Sequence, residues 1–432
     1  MTVRFIHLSD IHFGQEKGGQ IVVNDDVKYC LIKDAAKQIE ALAPDGTVSG
    51  IIVSGDIAFA GKENEYAAAA KWLDNLASAL NLLPTDVIVV PGNHDIDRDE
   101  ITPGCRLMIA HIAESGENAL DDFLKSDLDR ELLYSKFKSY RPFAEGYNCS
   151  LDAQGGNAGT RSVQISEGRN LRIIGLNSAL LCSTHDKEGQ LLLGKRQRVL
   201  PPPTSGEELI VICHHPLKWL QDSEDAGRYV RSRARVLITG HEHSPSVRME
   251  TTPQGTQILH IEAGAAMPPQ ANEKYNYTYN ILEISWDAST DGLAVYVHSR
   301  TWNDELKKFV KREDAVKHIL KCENFERNDG PSGATTTVPV GAPQAESAMT
   351  VRLTETASGG VVVTDAHALL LLRYFRDLSS AQRIRVLVCL GALPENWDDA
   401  LSHAMERQVL DRLLRQGRAD EIDREIERVR AT

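Results

Sequence analysis

Five short runs of apolar, mostly β-branched residues end in Asp, Asn or His, and this pattern constrains the fold more than any other feature of the chain. A strand that only fills a core normally ends in a turn, whereas open α/β sheets build their binding sites at strand ends. We therefore expect the five strand ends to converge on one polar site. The residues that follow the five runs are Asp10 and His12; Asp56; Asn93, His94 and Asp95; His214 and His215; and His241 and His243.

The first of these runs predicts how two of the side chains are arranged. The segment VRFIH has the composition of a buried strand, and Asp10 and His12 follow it two positions apart. Side chains two positions apart in a strand point the same way, so both are expected to project together from its C-terminal end. Carboxylate and imidazole donors placed side by side in this way favour a metal site.

The order D-x-H, G-D, G-N-H-D, H and G-H-x-H resembles the calcineurin-like metallophosphoesterase superfamily over about residues 3–300. The resemblance implies an α/β fold, a β-sandwich flanked by helices, with a site for two divalent metal ions. The carboxylate of Asp56 can span both ions and is the natural bridge. Mixed nitrogen and oxygen donors suit manganese, iron or zinc without choosing among them. The resemblance assigns Asp10, His12 and His243, with Asp56, to the first ion, and Asn93, His214 and His241 to the second.

The resemblance also implies a catalytic role for His94, which would contact a phosphate oxygen or protonate the leaving group. Asp95 is expected to orient the other ring nitrogen of His94, provided that Gly92 permits a turn. The nucleophile is expected to be a water or hydroxide held between the ions, with its pKa lowered. His215 is either a core residue or a support for the ligands, and Glu242 is expected to face solvent or a neighbouring side chain.

The composition indicates where the protein is located and which partners it is expected to bind. The seven cysteines are odd in number and scattered, which favours reduced thiols and a cytoplasmic location over a disulfide framework. Neither a signal peptide nor a membrane span is expected. The net charge of −13 argues against non-specific adhesion to nucleic acid but does not exclude a nuclease, because metal ions invert the local field. A basic cluster before the GHEH segment either holds phosphates or forms a solvated helix face; it comprises Arg228, Arg231, Arg233 and Arg235.

The order of elements predicts one large domain over residues 1–325. Strands alternate with helices as far as the GNHD segment, which is typical of crossovers onto a mostly parallel sheet. Residues 97–147 are expected to form a helical insertion that either caps the site or is a passive decoration. Closely spaced strands after it indicate a second, more antiparallel sheet packed on the first, and a helix is expected over residues 304–322. His185, in a loop, is either a substrate contact or a solvated residue.

The C-terminal part of the chain differs in composition. Residues 326–362 are rich in Gly, Pro, Ser and Thr and are interpreted as a flexible linker with a short strand possible at VVV. Residues 363–432 predict a separate small all-α bundle that resembles the death-like effector-associated adaptor domains of bacterial conflict systems. It is expected to bind a protein partner or to self-associate; the alternative is a brace packed on the catalytic domain. The expected helix starts are Asp365, Ser379 or Ser380, and Pro394, and the expected stops are Gly391 and Gly417.

These features predict a metal-dependent phosphoric ester hydrolase that acts in bacterial defence or signalling. A phosphodiester, either a cyclic nucleotide or a nucleic acid, is preferred because the insertion leaves room for a capped cleft. The alternatives are a phosphomonoesterase or protein phosphatase, and a metal-binding regulatory module without catalysis. His94 argues against the regulatory module because it is not needed to hold metal.

Overall fold

A computed structural model describes most of the chain. The predicted linker, residues 326–362, and the expected short strand at VVV lie outside the described residues. In the described part, no helix combines the length and the apolar character that crossing a membrane requires. The described residues are 1–15, 23–43, 48–253, 255–268, 276–312, 317–321, 365–397 and 401–431.

The described strands form two mixed sheets. The first has the order β12-β11-β10-β1-β2-β3, with β13 also paired to β11, and the second has the order β4-β5-β6-β7-β9-β8. The strands are β1 (Thr2–Leu8), β2 (Gly50–Val53), β3 (Val87–Val89), β4 (Thr160–Ser166), β5 (Arg169–Leu176), β6 (Glu207–Cys213), β7 (Ala234–Thr239), β8 (Ser246–Thr251), β9 (Gln257–Glu262), β10 (Thr278–Asp287), β11 (Gly292–Asn303), β12 (Lys308–Lys311) and β13 (Lys317–Lys321).

Helices flank the sheets and build the C-terminal bundle. A π-helical turn, Leu372–Arg376, continues α9. The helices are α1 (Val23–Leu42), α2 (Glu63–Ala79), α3 (Pro103–Ser115), α4 (Glu117–Lys125), α5 (Asp127–Tyr134), α6 (Tyr140–Gly146), α7 (Lys195–Arg198), α8 (Ser223–Arg233), α9 (Asp365–Leu371), α10 (Ser380–Cys389), α11 (His403–Arg415) and α12 (Ala419–Arg430).

The predicted α/β class and two-sheet architecture are confirmed. The expectation that the second sheet is the more antiparallel one is wrong, because β10 and β11 join the first sheet as antiparallel strands and β5, β6, β7 and β9 are parallel. Strands β1, β2 and β3 are parallel to one another and are connected through α1 and α2, and β5, β6, β7 and β9 are also parallel. Every residue of β2 and β3 is buried, as expected for strands covered on both faces. Residues of both sheets belong to one hydrophobic cluster, so the sheets share a core. The carboxyl ends of these parallel strands carry the polar clusters.

The helix expected over residues 304–322 is wrong. The described residues there form β12 and β13, which both pair with β11. Phe309 and Leu320 are buried while the lysines that end each strand are exposed. Phe309 packs against Trp302 with ring centroids 5.4 Å apart. Pairing with the long strand β11 buries these side chains, and that tertiary contact outweighs the helical appearance of a Lys- and Glu-rich sequence.

Helical segments occupy the predicted insertion and the predicted bundle. Helices α3 to α6 lie within residues 97–147, and α9 to α12 form a second hydrophobic cluster of their own. Ser379 caps α10, while Gly391 and Gly417 adopt left-handed φ values of 67° and 76° after α10 and α11. The expected start at Pro394 is wrong, because α11 begins at His403 and is capped by Ser402.

The bundle packs on the insertion at α6. The Arg376 guanidinium donates to the Asp74 carboxylate at 2.7 and 3.0 Å and to the Tyr147 hydroxyl at 3.0 Å. The Glu145 carboxylate contacts the imidazole of His403 at 2.9 Å and the guanidinium of Arg407. We call these six side chains the bundle interface. It places the C-terminal helices against the same insertion that follows the GNHD segment.

Candidate metal centre

The structure brings the predicted ligand side chains together in the loops that follow the parallel strands. The donor atoms of Asp10, His12 and His243 lie within 4.8 Å of one another, and so do those of Asp10, Asp56 and His214. His214, His215 and His241 form a third such group, and His12, Asp56 and His94 a fourth. Asn93 joins the cluster through its Oδ1 atom, 3.0 Å from His241 Nδ1. All seven predicted ligands therefore belong to one connected cluster.

The backbone of these loops is unusual. Five of the predicted ligands have left-handed φ values, from 51° at His12 to 71° at His241. Such conformations are uncommon for residues other than glycine and concentrate at functional sites. Asp10 and His12 therefore do converge, but by left-handed turns after β1 and not by the strand alternation that their spacing predicts. The five residues are Asp10, His12, Asp56, His241 and His243.

Asp56 is the side chain at the middle of the cluster. Its Oδ2 atom lies 3.3 Å from Nε2 of His12 and 3.3 Å from Nε2 of His214, and its Oδ1 atom accepts a hydrogen bond from the His94 amide at 2.8 Å. The carboxylate is buried, with 2% of its side chain exposed. Asp56 thus has one oxygen fixed by the backbone and one oxygen aimed between two imidazoles.

The imidazole of His214 offers a direct test of whether a cation fits. Its Nδ1 atom donates to the Ser54 carbonyl at 2.8 Å, since a carbonyl can only accept. Its Nε2 atom is buried and has no hydrogen-bond partner in the described part of the chain, although it lies 3.3 Å from Asp56 Oδ2. An orphaned buried nitrogen beside a carboxylate is costly unless a positive charge lies between them. A metal ion at this point satisfies both groups.

The carboxyl groups of Asp10 and Asp56 are held in their ionised form, which attracts cations. Burial raises the pKa of Asp10, but the hydrogen bond and charge of His243 outweigh it and hold this pKa below its usual range. Burial also raises the pKa of Asp56, whereas the charge of His214 and the hydrogen bond from His12 lower it well below its usual range. Burial lowers the pKa of His214, but Asp56 raises it to about 9. Two ionised carboxylates surrounded by imidazoles suit divalent metals that accept nitrogen and oxygen donors.

Glycines allow the loops to approach one another this closely. A Cβ atom on Gly92 would lie 2.1 Å from Asp56 Oδ1, and one on Gly240 would lie 2.1 Å from Ser9 Oγ. Gly55, with φ of 102°, would place a Cβ 2.4 Å from His214 Nδ1. Gly92 is thus required for the close approach of Asp56, and its φ is not positive.

His94 and Asp95 do not form the pair that the sequence predicts. The Nδ1 atom of His94 donates to the Phe59 carbonyl at 2.7 Å, so a backbone group and not Asp95 orients the ring. Asp95 is buried and accepts from the amides of Ala58 and Gly92, each at 2.9 Å, and from the amide of Ile57. The reason is that these amides point inward and a buried N–H needs an acceptor. Asp95 therefore holds the loop that carries Asp56.

Contacts and exposure in the structure bear on four other expectations. His215 is fully buried, with its Nδ1 atom 2.8 Å from Ser178 Oγ, so it supports the cluster from the core. Glu242 accepts from Trp219 Nε1 at 2.8 Å and contacts Lys218, which makes it a neighbour-facing residue. His185 is exposed. In the basic cluster, each arginine has a carboxylate or an aromatic ring beside it. These contacts favour a structural role over phosphate binding. The arginines are Arg228, Arg231, Arg233 and Arg235.

Three residues near the cluster are not singled out by the sequence. Phe59 stacks on His94 with ring centroids 5.3 Å apart, and its side chain is partly exposed. Trp219 packs edge-on against His241 at 4.2 Å. Arg98 donates to the carbonyls of Asn93 and Ser183 at 2.9 and 3.0 Å. Their position shortly after Asp56, His215 and Asp95 is the only sequence signal that they carry.

Comparison with known proteins places this geometry in a family. Residues 3–245 match the family profile described as calcineurin-like phosphoesterase, and residues 366–428 match the profile described as GTPase-associated adaptor domain. The adaptor character expected for the C-terminal region is thereby confirmed. The uncharacterized metallophosphoesterase-like protein YydB of Bacillus subtilis (strain 168) is 24% identical over 341 residues, which cover 76% of this chain and 66% of YydB.

Two solved structures are among the similar folds. A dimetal phosphatase from Danio rerio is 14% identical with a TM-score of 0.36, and the match covers 72% of this chain and 98% of that chain. The NAD nucleotidase of Haemophilus influenzae is 12% identical with a TM-score of 0.33, and the match covers 72% of this chain and 54% of the nucleotidase. The chain thus spans about two thirds of the length of YydB and about half of the length of the nucleotidase.

Proposed function

Because the chain belongs to the calcineurin-like phosphoesterase family, we propose that it hydrolyses phosphoesters with the help of two divalent metal ions. The observation that carries this proposal is the position of Asp56. One carboxylate oxygen faces the Nε2 atoms of two imidazoles at 3.3 Å each, and among the described residues the His214 Nε2 atom has no hydrogen-bond partner. In a purely structural cluster we would expect this buried nitrogen atom to have one.

The proposed ligands divide as the family motif implies. Asp10, His12 and His243 hold the first ion, Asn93, His214 and His241 hold the second, and Asp56 is shared. When bound, such ions lower the pKa of a water molecule and offset charge on the phosphoryl oxygens. The protein's own part is to fix the donors: the carbonyls of Ser54 and Met267 hold the Nδ1 atoms of His214 and His12, which leaves each Nε2 lone pair for metal.

His94 is proposed to act on the substrate and not to hold metal. Its Nδ1 atom is engaged by the Phe59 carbonyl, so the Nε2 atom is the one available to a phosphate oxygen or to the leaving group. The Phe59 ring stacks against the imidazole and restricts its rotation. Hydrogen-bonding to a phosphate oxygen or protonating the departing alkoxide is the role that this geometry supports.

A phosphodiester is the proposed substrate, with a phosphomonoester as the alternative. Helices α3 to α6 follow directly from the GNHD segment, and Arg98 ties that segment to the loop at Ser183 through two carbonyls. We propose that the insertion forms a wall of the cleft that contains His94, and such a wall suits a substrate with an organic group on each side of phosphorus. Cyclic nucleotides and nucleic acids are the proposed classes, and manganese, iron and zinc are the proposed ions.

The decisive test is hydrolysis by purified protein with defined metal content. We expect protein loaded with manganese to release 4-nitrophenol from bis(4-nitrophenyl) phosphate and to lose this activity after chelation. 4-Nitrophenyl phosphate in the same assay separates diester from monoester preference. Protein that takes up no divalent ion, with manganese, iron and zinc each supplied, would overturn the proposal.

We further propose that the C-terminal bundle attaches the hydrolase to a protein partner, or to a second copy, in the cytoplasm. The match of residues 366–428 to a GTPase-associated adaptor domain supports a GTP-binding partner. Met405 of α11 and most charged residues of α12 are exposed and take no part in the bundle interface. Affinity capture with the full chain, and with a chain ending at Cys322, tests this: a GTP-binding protein retained only by the full chain is the expected result. Light scattering tests the self-association alternative.

A further inference from the structure

A cavity of about 260 Å³ lies on the second sheet, beside the loop that carries His241 and His243. Its floor is built from strand residues in register. Leu237 pairs with His260 and Thr239 pairs with Glu262, so all four side chains lie on one face of the sheet. Arg248 on β8 pairs with His260 and extends the same row. The floor thus lies at the carboxyl ends of parallel strands, where α/β sheets bind ligands.

The walls of the cavity are continuous with the metal centre. Glu242 and Ser244 line it and flank His243, and Thr239 lies two residues before His241. On the other side, Lys218 of the cavity wall lies three residues after His215. Trp219 joins the two regions, because its ring packs on His241 at 4.2 Å and its Nε1 atom donates to Glu242 at 2.8 Å.

The charges of the cavity are balanced and indicate an uncharged polar ligand. Lys218 contacts Glu242 at 3.0 Å, and Arg248 contacts Glu262 at 3.5 Å. A lone anion in the cavity would meet two carboxylates, and a lone cation would meet two cationic groups. Thr239 is 3% exposed and lines the cavity, to which its hydroxyl adds a hydrogen-bond donor and acceptor. Leu237 and Leu217 add apolar surface.

We propose that this cavity binds the nucleoside part of a phosphoester substrate, an inference that rests on the proposed function. A nucleoside is uncharged, carries several hydrogen-bond donors and acceptors, and has flat apolar faces for Leu217 and Leu237. The hydroxyl of Thr239 and the carboxylate and guanidinium groups of Glu262 and Arg248 match its polar edges. Binding at this position selects the organic group of the substrate and leaves the reacting phosphorus to the metal centre.

Three chromogenic diesters separate the cavity from the metal centre. Thymidine 5′-(4-nitrophenyl phosphate) carries a nucleoside, bis(4-nitrophenyl) phosphate carries none, and 4-nitrophenyl phosphorylcholine carries a cation. All three release the same product. We expect Thr239→Val to raise KM for the thymidine ester ~10-fold, the loss of about one hydrogen bond, with kcat and both other esters unchanged. Thr239→Ser keeps the hydroxyl and is expected to restore KM.

Two further variants keep the test independent of folding. Arg248→Ala lies at an exposed position and is expected to raise KM for the thymidine ester alone. Thr251→Val makes the same change as Thr239→Val at the exposed end of β8 and is expected to alter nothing. Equal effects on the three esters, or no effect of Thr239→Val and Arg248→Ala on the thymidine ester, would overturn the inference.

Direct binding distinguishes failure of the cavity from failure of the proposed function. If the wild type hydrolyses none of the esters, the proposed function fails, and calorimetry with thymidine 5′-monophosphate still tests the cavity. We expect binding that weakens ~10-fold in Thr239→Val and is retained in Thr251→Val. Absence of binding, or binding that both variants share, would exclude a nucleoside site.

Discussion

The metal centre and the bundle interface both bury charged side chains, but they satisfy them in opposite ways. At the bundle interface each buried charge meets its opposite: Arg376 meets Asp74, and Glu145 meets His403 and Arg407. At the metal centre, Asp10 and Asp56 lie close together, and among the described residues the buried His214 Nε2 atom has no hydrogen-bond partner. The interface pairs its charged groups with one another, whereas the centre also leaves a buried nitrogen atom without a partner.

The backbone conformation also differs between the bundle interface and the metal centre. The side chains of the bundle interface lie on or next to helices, chiefly α2, α6 and α11 and the π-helical turn after α9. Five residues of the metal centre have left-handed φ values, and glycines allow their loops to approach one another. Strain of this kind persists where the surrounding structure holds it in place for function. The contrast teaches that complete pairing of buried polar groups marks a structural contact, whereas a buried nitrogen atom left without a partner beside a carboxylate marks a candidate binding site.

The same Asp→Asn change should reduce metal binding and turnover at the metal centre and leave both unchanged at the bundle interface. Asp56→Asn keeps the shape of the side chain but removes the charge that bridges His12 and His214. We expect loss of at least one metal ion and a fall in turnover of more than ~1,000-fold, measured by elemental analysis and 4-nitrophenol release. Asp74→Asn is the matched control and is expected to keep both metal and turnover. Full metal content in Asp56→Asn would contradict the assignment of the bridge.

His94 offers the second largest effect. His94→Ala is expected to retain metal, because the proposed ligands are other side chains, and to lose ~100-fold or more in kcat through loss of proton transfer or of the contact with a phosphate oxygen. His403→Ala makes the same change at the bundle interface and should leave kcat unchanged. Wild-type turnover in His94→Ala, with metal bound, would remove His94 from the mechanism.

These two predictions depend on residues that the sequence singles out, and the reason is chemical. Metal ligands are drawn from few residue types, and here they follow apolar runs, so residue identity and position indicate both the site and the α/β sheet beneath it. The geometry needs more. The left-handed turns at Asp10 and His12 and the pairing of Asp95 with backbone amides arise from contacts between loops that are distant in sequence.

The residue pairs of the bundle interface could not be predicted from the sequence for the same reason. Asp74 and Arg376 are 302 positions apart, and nothing local marks either as a partner. The strands β12 and β13 were likewise hidden, because their burial depends on pairing with β11. Surface-like charged residues become structural only when the fold supplies their counter-charges. The bundle interface holds the bundle against the rest of the chain. Disrupting this interface therefore distinguishes a bundle that recruits a partner from one that braces the catalytic domain.

Arg376→Ala should loosen the bundle without touching the metal centre. It leaves Asp74 without its partner and removes the hydrogen bond to Tyr147, and breaking a buried pair costs about 3 kcal/mol. Because Asp74 is partly exposed, the measured loss should be smaller. We expect faster hydrogen exchange in α9 to α12 and turnover within about twofold of wild type. Arg428→Ala, an exposed arginine of α12, is the control and should change neither. Lost turnover in Arg376→Ala would make the bundle a brace for catalysis.

Acid should loosen the bundle through Glu145. Burial raises the pKa of Glu145, but its hydrogen bond to His403 and the charges of His403 and Arg407 outweigh it and lower the pKa from 4.5 to about 2. A lowered pKa adds stability that is complete above 4.5 and is lost as pH falls towards 2, a loss of about 3 kcal/mol. Glu145→Gln lacks this contribution at every pH. Hydrogen-exchange protection of α11 in wild type should therefore exceed that of Glu145→Gln at pH 6, and the two should converge below pH 3. A difference that stays constant over this range would show that Glu145 does not hold the bundle by its charge.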